Sequence, residues 1–302
     1  MQFARAVLRE LRPHQWSKNL LVLVPVALAP GVPRWSTLGQ GLLAALAFSL
    51  CASAGYVLND LLDLDADRAH PTKKNRPFAS GALPVALGPF LCIALVLAAS
   101  ALALSFLPAK FLVMLTIYFA GTILYSTRLK RALLVDVLVL AGLYAHRVLA
   151  GGVATGIAVS PWLVGFSIFV FTSLAFAKRY EELRDKVDGQ PLKNRDYVRL
   201  DLPMVGAMGT ASAFVSALVF ALYIDSAAVR AGYRKPALLW LALPILLYWL
   251  GRIWLLANRG HLKDDPVRFA LKDRNSLTCG ALIGALVALA RFPPDWLVRI
   301  SH

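Results

Sequence analysis

Apolar residues run through this chain in long blocks, not in the alternating or three-to-four spaced patterns of a water-facing fold. Nine blocks approach the roughly 20 residues that an α-helix needs to cross a bilayer. They cover residues 17–31, 36–58, 84–107, 110–126, 132–150, 160–178, 203–224, 236–257 and 276–292. The first is short and contains Pro25. The longest polar stretch between blocks, 179–202, leaves no room for a soluble domain. The pattern predicts an all-α integral membrane protein, a single polytopic domain over 1–302 with nine transmembrane helices.

Composition agrees: 58% of the 302 residues are hydrophobic, 16% are charged, and the mean hydropathy is +0.62. The formal net charge of +15 invites a nucleic-acid reading, but the distribution of the charge favours another. With nine spans, 23 of the 32 Lys and Arg residues fall on the N-terminal side, 7 on the other, and Arg147 and Arg252 inside spans. Basic residues hold loops on the cytoplasmic side. The N-terminus and every polar motif are therefore expected at the cytoplasmic face of the membrane, with no nucleic-acid partner. The opening basic residues followed by LLVLVPVALA resemble a secretory signal. The long preceding segment with Glu10, and the spans that follow, favour a first transmembrane helix instead. Cys51, Cys92 and Cys279 lie in apolar runs without metal-ligand spacing, so neither a disulfide framework nor a zinc site is expected. The sequence specifies no oligomeric state.

Asn59 to Gly81, NDLLDLDADRAHPTKKNRPFASG, breaks the apolar pattern. In a continuous helix Asp60, Asp63 and Asp67 fall at i, i+3 and i+7 and share one face, with Asp65 off it. Like charges so placed repel unless a cation sits between them. Mg²⁺ suits, because it takes few carboxylates and completes its octahedron with water and phosphate oxygens. Lys73 and Arg76 follow closely as candidate phosphate ligands, or as ordinary membrane-edge anchors.

The pattern N-D-x-x-D-x-x-x-D over Asn59, Asp60, Asp63 and Asp67 resembles the first aspartate-rich motif of the UbiA superfamily of intramembrane prenyltransferases. The resemblance covers essentially the whole chain. It implies a nine-helix bundle in which Mg²⁺, held by those four residues, binds a diphosphate. The superfamily's usual second Asp-rich motif is replaced here by FAKRYEELRD, with Lys178, Arg179, Glu181, Glu182 and Asp185. RPHQWSKN (12–19), YSTRLK (125–130), HRVLAGGVAT (146–155), AKRYEEL (177–183) and LKDR (271–274) resemble the decaprenyl-phosphate phosphoribosyltransferase branch. That branch moves 5-phosphoribose from phosphoribosyl diphosphate (PRPP) to a polyprenyl phosphate, for cell-wall arabinan precursors. One Asp box with a basic second box suits a donor carrying a diphosphate and a separate phosphate.

On that resemblance Asp60, Asp63 and Asp67 are the expected catalytic carboxylates. Lys18, Asn19, Lys73, Arg76, Tyr125, Lys130, Arg131, Arg147, Lys178, Arg179, Glu182, Asp273 and Arg274 are expected around the substrates. Each has a plainer reading. Tyr125, Lys130 and Arg131 end a span, where Tyr, Lys and Arg are ordinary anchors. Arg147 inside the fifth span reads equally as an interhelical clamp; Asp136, about three turns away at the helix rise, is no same-helix partner for it. Prenyl transfer to an aromatic or other small acceptor stays open as an alternative, since Glu181, Glu182 and Asp185 remain in the second box. A transporter predicts inverted repeats, and none is evident. A non-catalytic scaffold leaves Asn59–Asp67 unexplained.

Overall fold

The computed structural model describes residues 2–29, 34–186, 195–262 and 265–294. Among them there are helices and turns and no strand. The chain forms two compact units: residues 1–130 with 146–159, and residues 131–145 with 160–302.

The first unit opens with α1 (Gln2–Leu11), an amphipathic helix that buries Ala6 and Glu10 and exposes Phe3 and Leu8. Arg12 adopts a left-handed backbone (φ 51°) ahead of Pro13, and this turns the chain sharply. A 3₁₀ segment (Pro13–Leu23) runs into α2 (Val24–Leu28). The long α3 (Trp35–Leu62) follows, then the short α4 (Leu64–Arg68), α5 (Leu87–Phe106) and α6 (Ala109–Thr127). α3 is the hub, packed on α1, the 3₁₀ segment, α5 and α6. Ala6, Ala54, Val57, Phe78, Leu83 and Leu95 form one buried cluster. α7 (Val135–Thr155) contributes its C-terminal half here. A Cβ at Gly151 would overlap the Val22 carbonyl, so only glycine lets α7 approach the 3₁₀ backbone this closely.

The second unit contains the start of α7, α8 (Pro161–Arg184), α9 (Leu202–Ile224), α10 (Ala227–Gly232), α11 (Ala242–Arg259), α12 (Pro266–Ala270) and α13 (Arg274–Arg291). α8 packs along α9, and α11 touches α8, α9 and α13. Gly209 accommodates the Trp254 ring, whose Nε1 donates to Ser173 Oγ at 2.9 Å.

Seven helices among the described residues are long and apolar enough to cross a membrane. They match the second to eighth predicted spans. The first predicted span, 17–31, is not one α-helix: within its described part, 3₁₀ geometry gives way to five α-helical residues containing Pro25. Over the ninth, 276–292, a helix does form, but its 18 residues begin with Arg274 and Asn275 and end at Arg291. Two boundaries also move. α7 continues five residues past the predicted block to Thr155, and α8 continues to Arg184, so Lys178 to Glu182 are helical.

Candidate active site

In the first unit the aspartate-rich stretch is not one continuous helix. α3 ends at Leu62, Asp63 caps it with φ −95° and ψ 11°, and α4 restarts at Leu64. The break is slight. Asp63 N–H still donates to Asn59 O, and Asp67 N–H to Asp63 O, so the four-residue spacing survives. Asp60 and Asp67 are buried at 2% exposure, Asp63 is partly exposed, and the Asp65 side chain is almost wholly in solvent, as its position off the face implied.

Cations from three segments meet these carboxylates. Arg12 Nη2 lies 2.7 and 2.5 Å from the two Asp60 oxygens, its guanidinium stacked over the Tyr56 ring. Arg76 Nη1 reaches Asp60 at 3.1 Å and also Asp67, bridging the two aspartates. Lys73 approaches Asp67 at 4.0 Å. Lys130 approaches Asp63 at 3.8 Å, and Asn59 Nδ2 donates to Asp63 at 3.2 Å. Tyr125 is half-buried near the end of α6. Lys73, Arg76 and Lys130 therefore lie against the carboxylates. Arg12 joins them as well, and the spacing of the motif gave no hint of it.

Glu10 also belongs to this cluster. It is fully buried, and neither carboxyl oxygen accepts a hydrogen bond from an N–H donor. Burial first, then the Asp60 charge and a hydrogen bond shared with the Asp60 carboxyl, push its pKa up to about 7 against the opposing pull of Arg12 and Arg76. The available signal was its place as the lone acid of α1, four residues from Ala6 on the same helix face.

Asn59, Asp60, Asp63 and Asp67 are hard oxygen donors of the kind Mg²⁺ takes. Among the described residues no three His, Cys, Asp or Glu side chains converge as a ready metal cage. Guanidinium groups sit on Asp60 and Asp67 instead. The donor set suits a divalent cation that would bring water and phosphate ligands of its own.

Arg147 forms a separate buried clamp. Its Nε donates to Asn19 Oδ1 at 3.0 Å and its Nη2 to Tyr118 OH at 2.8 Å. Asn19 Nδ2 donates in turn to Ser49. Asn19 and Arg147 thus bond one another inside the helix layers. Lys18 is buried beside them in sequence.

In the second unit the fully buried Asp136 is the hub. Arg179 Nε stands 3.1 Å from it, Arg195 Nη1 3.0 Å, and Tyr197 OH donates at 2.7 Å. Burial and that hydrogen bond push the Tyr197 phenol well above its ordinary range. Tyr197 OH also accepts from the N–H of Leu134, a residue held at φ 63°. Arg179 contacts Glu182 too, and Arg195 lies 3.6 Å from Glu182. Arg179 and Glu182 are thereby engaged inside the protein. Lys178 is partly exposed and pairs with Asp265 at 3.5 Å, and Asp265 also accepts from Tyr144 OH. Asp273 caps α13 through the Ser276 amide and meets Arg252 at 2.6 and 3.0 Å. Burial raises the Asp273 pKa, but these bonds outweigh it and hold the carboxyl below its usual range. Arg131 and Arg274 are exposed. Asp264 lies outside the described residues.

The profile of the UbiA prenyltransferase family matches residues 20–277. A Sinorhizobium fredii protein called uncharacterized protein y4nM is 40% identical over 286 residues, covering 94% of this chain; the chain spans 55% of that relative's length. The Azorhizobium caulinodans nodulation protein NoeC is 32% identical, covering 89% of this chain and 87% of that one. A Mycobacterium tuberculosis decaprenyl-phosphate phosphoribosyltransferase is 33% identical, covering 93% and 94%. A solved structure of an Archaeoglobus fulgidus UbiA homolog bound to DMAPP and Mg²⁺ superposes with a TM-score of 0.68, covering 94% of this chain and 98% of that one, at 17% identity. At that identity the likeness establishes the fold.

Proposed function

The chain belongs to the UbiA prenyltransferase family, and on that premise we propose that it transfers 5-phosphoribose from PRPP to a polyprenyl phosphate, with Mg²⁺ and release of diphosphate. The observation that carries this reading is the bipolar make-up of the Asn59–Arg76 cluster. Asp60, Asp63 and Asp67 are interleaved with Arg12, Lys73, Arg76 and Lys130, which suits two anionic substrates better than one. At 178–185, where prenyl transferases of this superfamily are expected to carry a second aspartate box, Glu182 and Asp185 are both paired with arginines. The name of the mycobacterial relative points the same way.

The reaction forms a bond from an acceptor phosphate oxygen to the anomeric carbon as the carbon–diphosphate bond breaks, through an oxocarbenium-like transition state. The acceptor is already ionised, so the chain has no strong base to supply. Its residues orient two anions that repel one another. Arg76 and Lys73 hold phosphate oxygens beside the aspartates, and Lys130 steadies Asp63. Bound Mg²⁺ would neutralise the charge that grows on the leaving diphosphate. In the second unit, Arg179 holds Asp136 and Lys178 is partly exposed. The reading places the N-terminus and the cluster on the cytoplasmic side of a bacterial cytoplasmic membrane, in a nine-span topology.

The test offers purified protein labelled PRPP with polyprenyl phosphate and Mg²⁺, and in parallel a polyprenyl diphosphate with an aromatic acid. We expect lipid-linked label from PRPP, reduced at least ~100-fold in Asp63→Ala. Prenyl transfer to the aromatic acid, with no label from PRPP, overturns the proposal in favour of an ordinary UbiA-type prenyltransferase.

A further inference from the structure

Each aspartate that a divalent cation would use in the first unit is occupied by a cation of the chain. Arg12 takes both oxygens of Asp60, and Arg76 bridges Asp60 and Asp67. A guanidinium keeps its charge at any physiological pH. Arg12 is mostly covered, with a side chain 19% exposed, so it cannot simply turn into water. If the cation enters at Asp60, the displaced guanidinium needs another anion within reach.

Glu10 is placed to be that anion. It lies two residues from Arg12, beside Asp60, fully buried, with both oxygens lacking a donor. A buried polar group left without a partner costs about 1–3 kcal/mol, and such groups call for a specific explanation. Two empty acceptor positions match the two donors that a guanidinium presents side by side.

We propose that Glu10 is a positioning residue of the cation site: it receives the Arg12 guanidinium when a divalent cation and the phosphates it carries take Asp60. The exchange gives the guanidinium a second carboxyl partner, so its charge is not left without a counterpart during binding. The Tyr56 ring beneath Arg12 provides a surface over which the guanidinium pivots. This inference rests on the Mg²⁺-dependent reading above and extends it to a residue outside the Asp motif.

Mn²⁺ binding to the purified protein without substrates, followed by electron paramagnetic resonance, tests it. Glu10→Gln should weaken Mn²⁺ affinity about 10- to 100-fold, with partial recovery in Glu10→Asp and no fall in the apparent Tm. In an Arg12→Gln background the Glu10→Gln effect should vanish, because no guanidinium remains to be rehoused. Glu10→Leu replaces Glu10→Gln if the amide does not fold. Unchanged affinity in the Glu10 variants, or an effect that persists in the Arg12→Gln background, overturns the inference while leaving the proposed function standing. Unchanged affinity in Asp60→Asn removes the cation site itself, and both readings fall together.

Discussion

A carboxyl group sealed among carboxylates changes its ionisation before it changes the fold. Glu10, ordinarily near 4.5, titrates at about 7 in the protein. Between those values the folded chain holds a proton that the unfolded chain has already released. Stability therefore declines as pH rises through this window, and the full cost, on the order of 3 kcal/mol, stands above pH 7. Glu10→Gln removes the cost. Apparent Tm measured in detergent from pH 4.5 to 8 should show the variant pulling ahead of the wild type with rising pH and the gap levelling above pH 7; a constant gap would contradict this. At Gly151 the constraint is steric. Gly151→Ala drives a methyl into the Val22 carbonyl and should cost about 1–3 kcal/mol, visible as a lowered apparent Tm. The aspartates were legible from spacing because a helix repeats locally. Glu10 and Arg12 were not, since what places them at Asp60 is the Arg12 turn, which swings α1 against a helix some 50 residues further on.

At the scale of elements, the start of α7 is fastened to α8 and to residues 195–201 by one carboxylate. Asp136 binds Arg179, Arg195 and Tyr197 at once, and Tyr197 also holds the left-handed Leu134. Asp136→Asn leaves Arg179 buried without a full counter-charge and should cost about 3–5 kcal/mol. Tyr197→Phe removes one donor from Asp136 and the acceptor of the Leu134 amide, and should cost less, about 1–3 kcal/mol. Thermal unfolding of both, with the double variant, should show sub-additive losses, since the two share a hub. Apolar blocks located the seven long helices among the described residues but not their ends, as at α7 and α8, because burial in lipid demands length and little else. The block pattern could not foresee that α8 would run on to Arg184. Arg179 continues the helix because Asp136 neutralises it, a pairing more than 40 residues apart in sequence.

For the whole molecule, the charge distribution makes a prediction that the helix count alone does not. Lys74→Cys, in the exposed turn after the aspartates, should react with a membrane-impermeant maleimide only in opened cells. Arg230→Cys, in α10, should react in intact cells. The native cysteines, two buried and one half-buried, give a low background. The reverse labelling pattern would invert the topology and put the aspartates on the far face. The sequence predicts nine spans, and among the described residues seven helices satisfy length and apolarity. The difference lies at the two ends, where polar residues and proline interrupt the hydrophobic run.

The 3₁₀ segment after Arg12 bears on that difference. A 3₁₀ helix advances about 2.0 Å per residue against about 1.5 Å for an α-helix. Pro13–Leu23 together with α2 therefore covers about 30 Å, the depth of a hydrocarbon core, in fewer residues than an α-helix would need. A stretched coil is economical in sequence, and a hydropathy window calibrated on the α-helical rise undercounts it. The saving also has a functional side. With three residues per turn, side chains three apart stack in line, so Trp16 and Asn19 follow one edge of the coil, bonded to Ser53 and Ser49 one α-turn apart on α3. The stretch too irregular to score as a span is thus a ruled edge, set against the hub helix that carries Asp60.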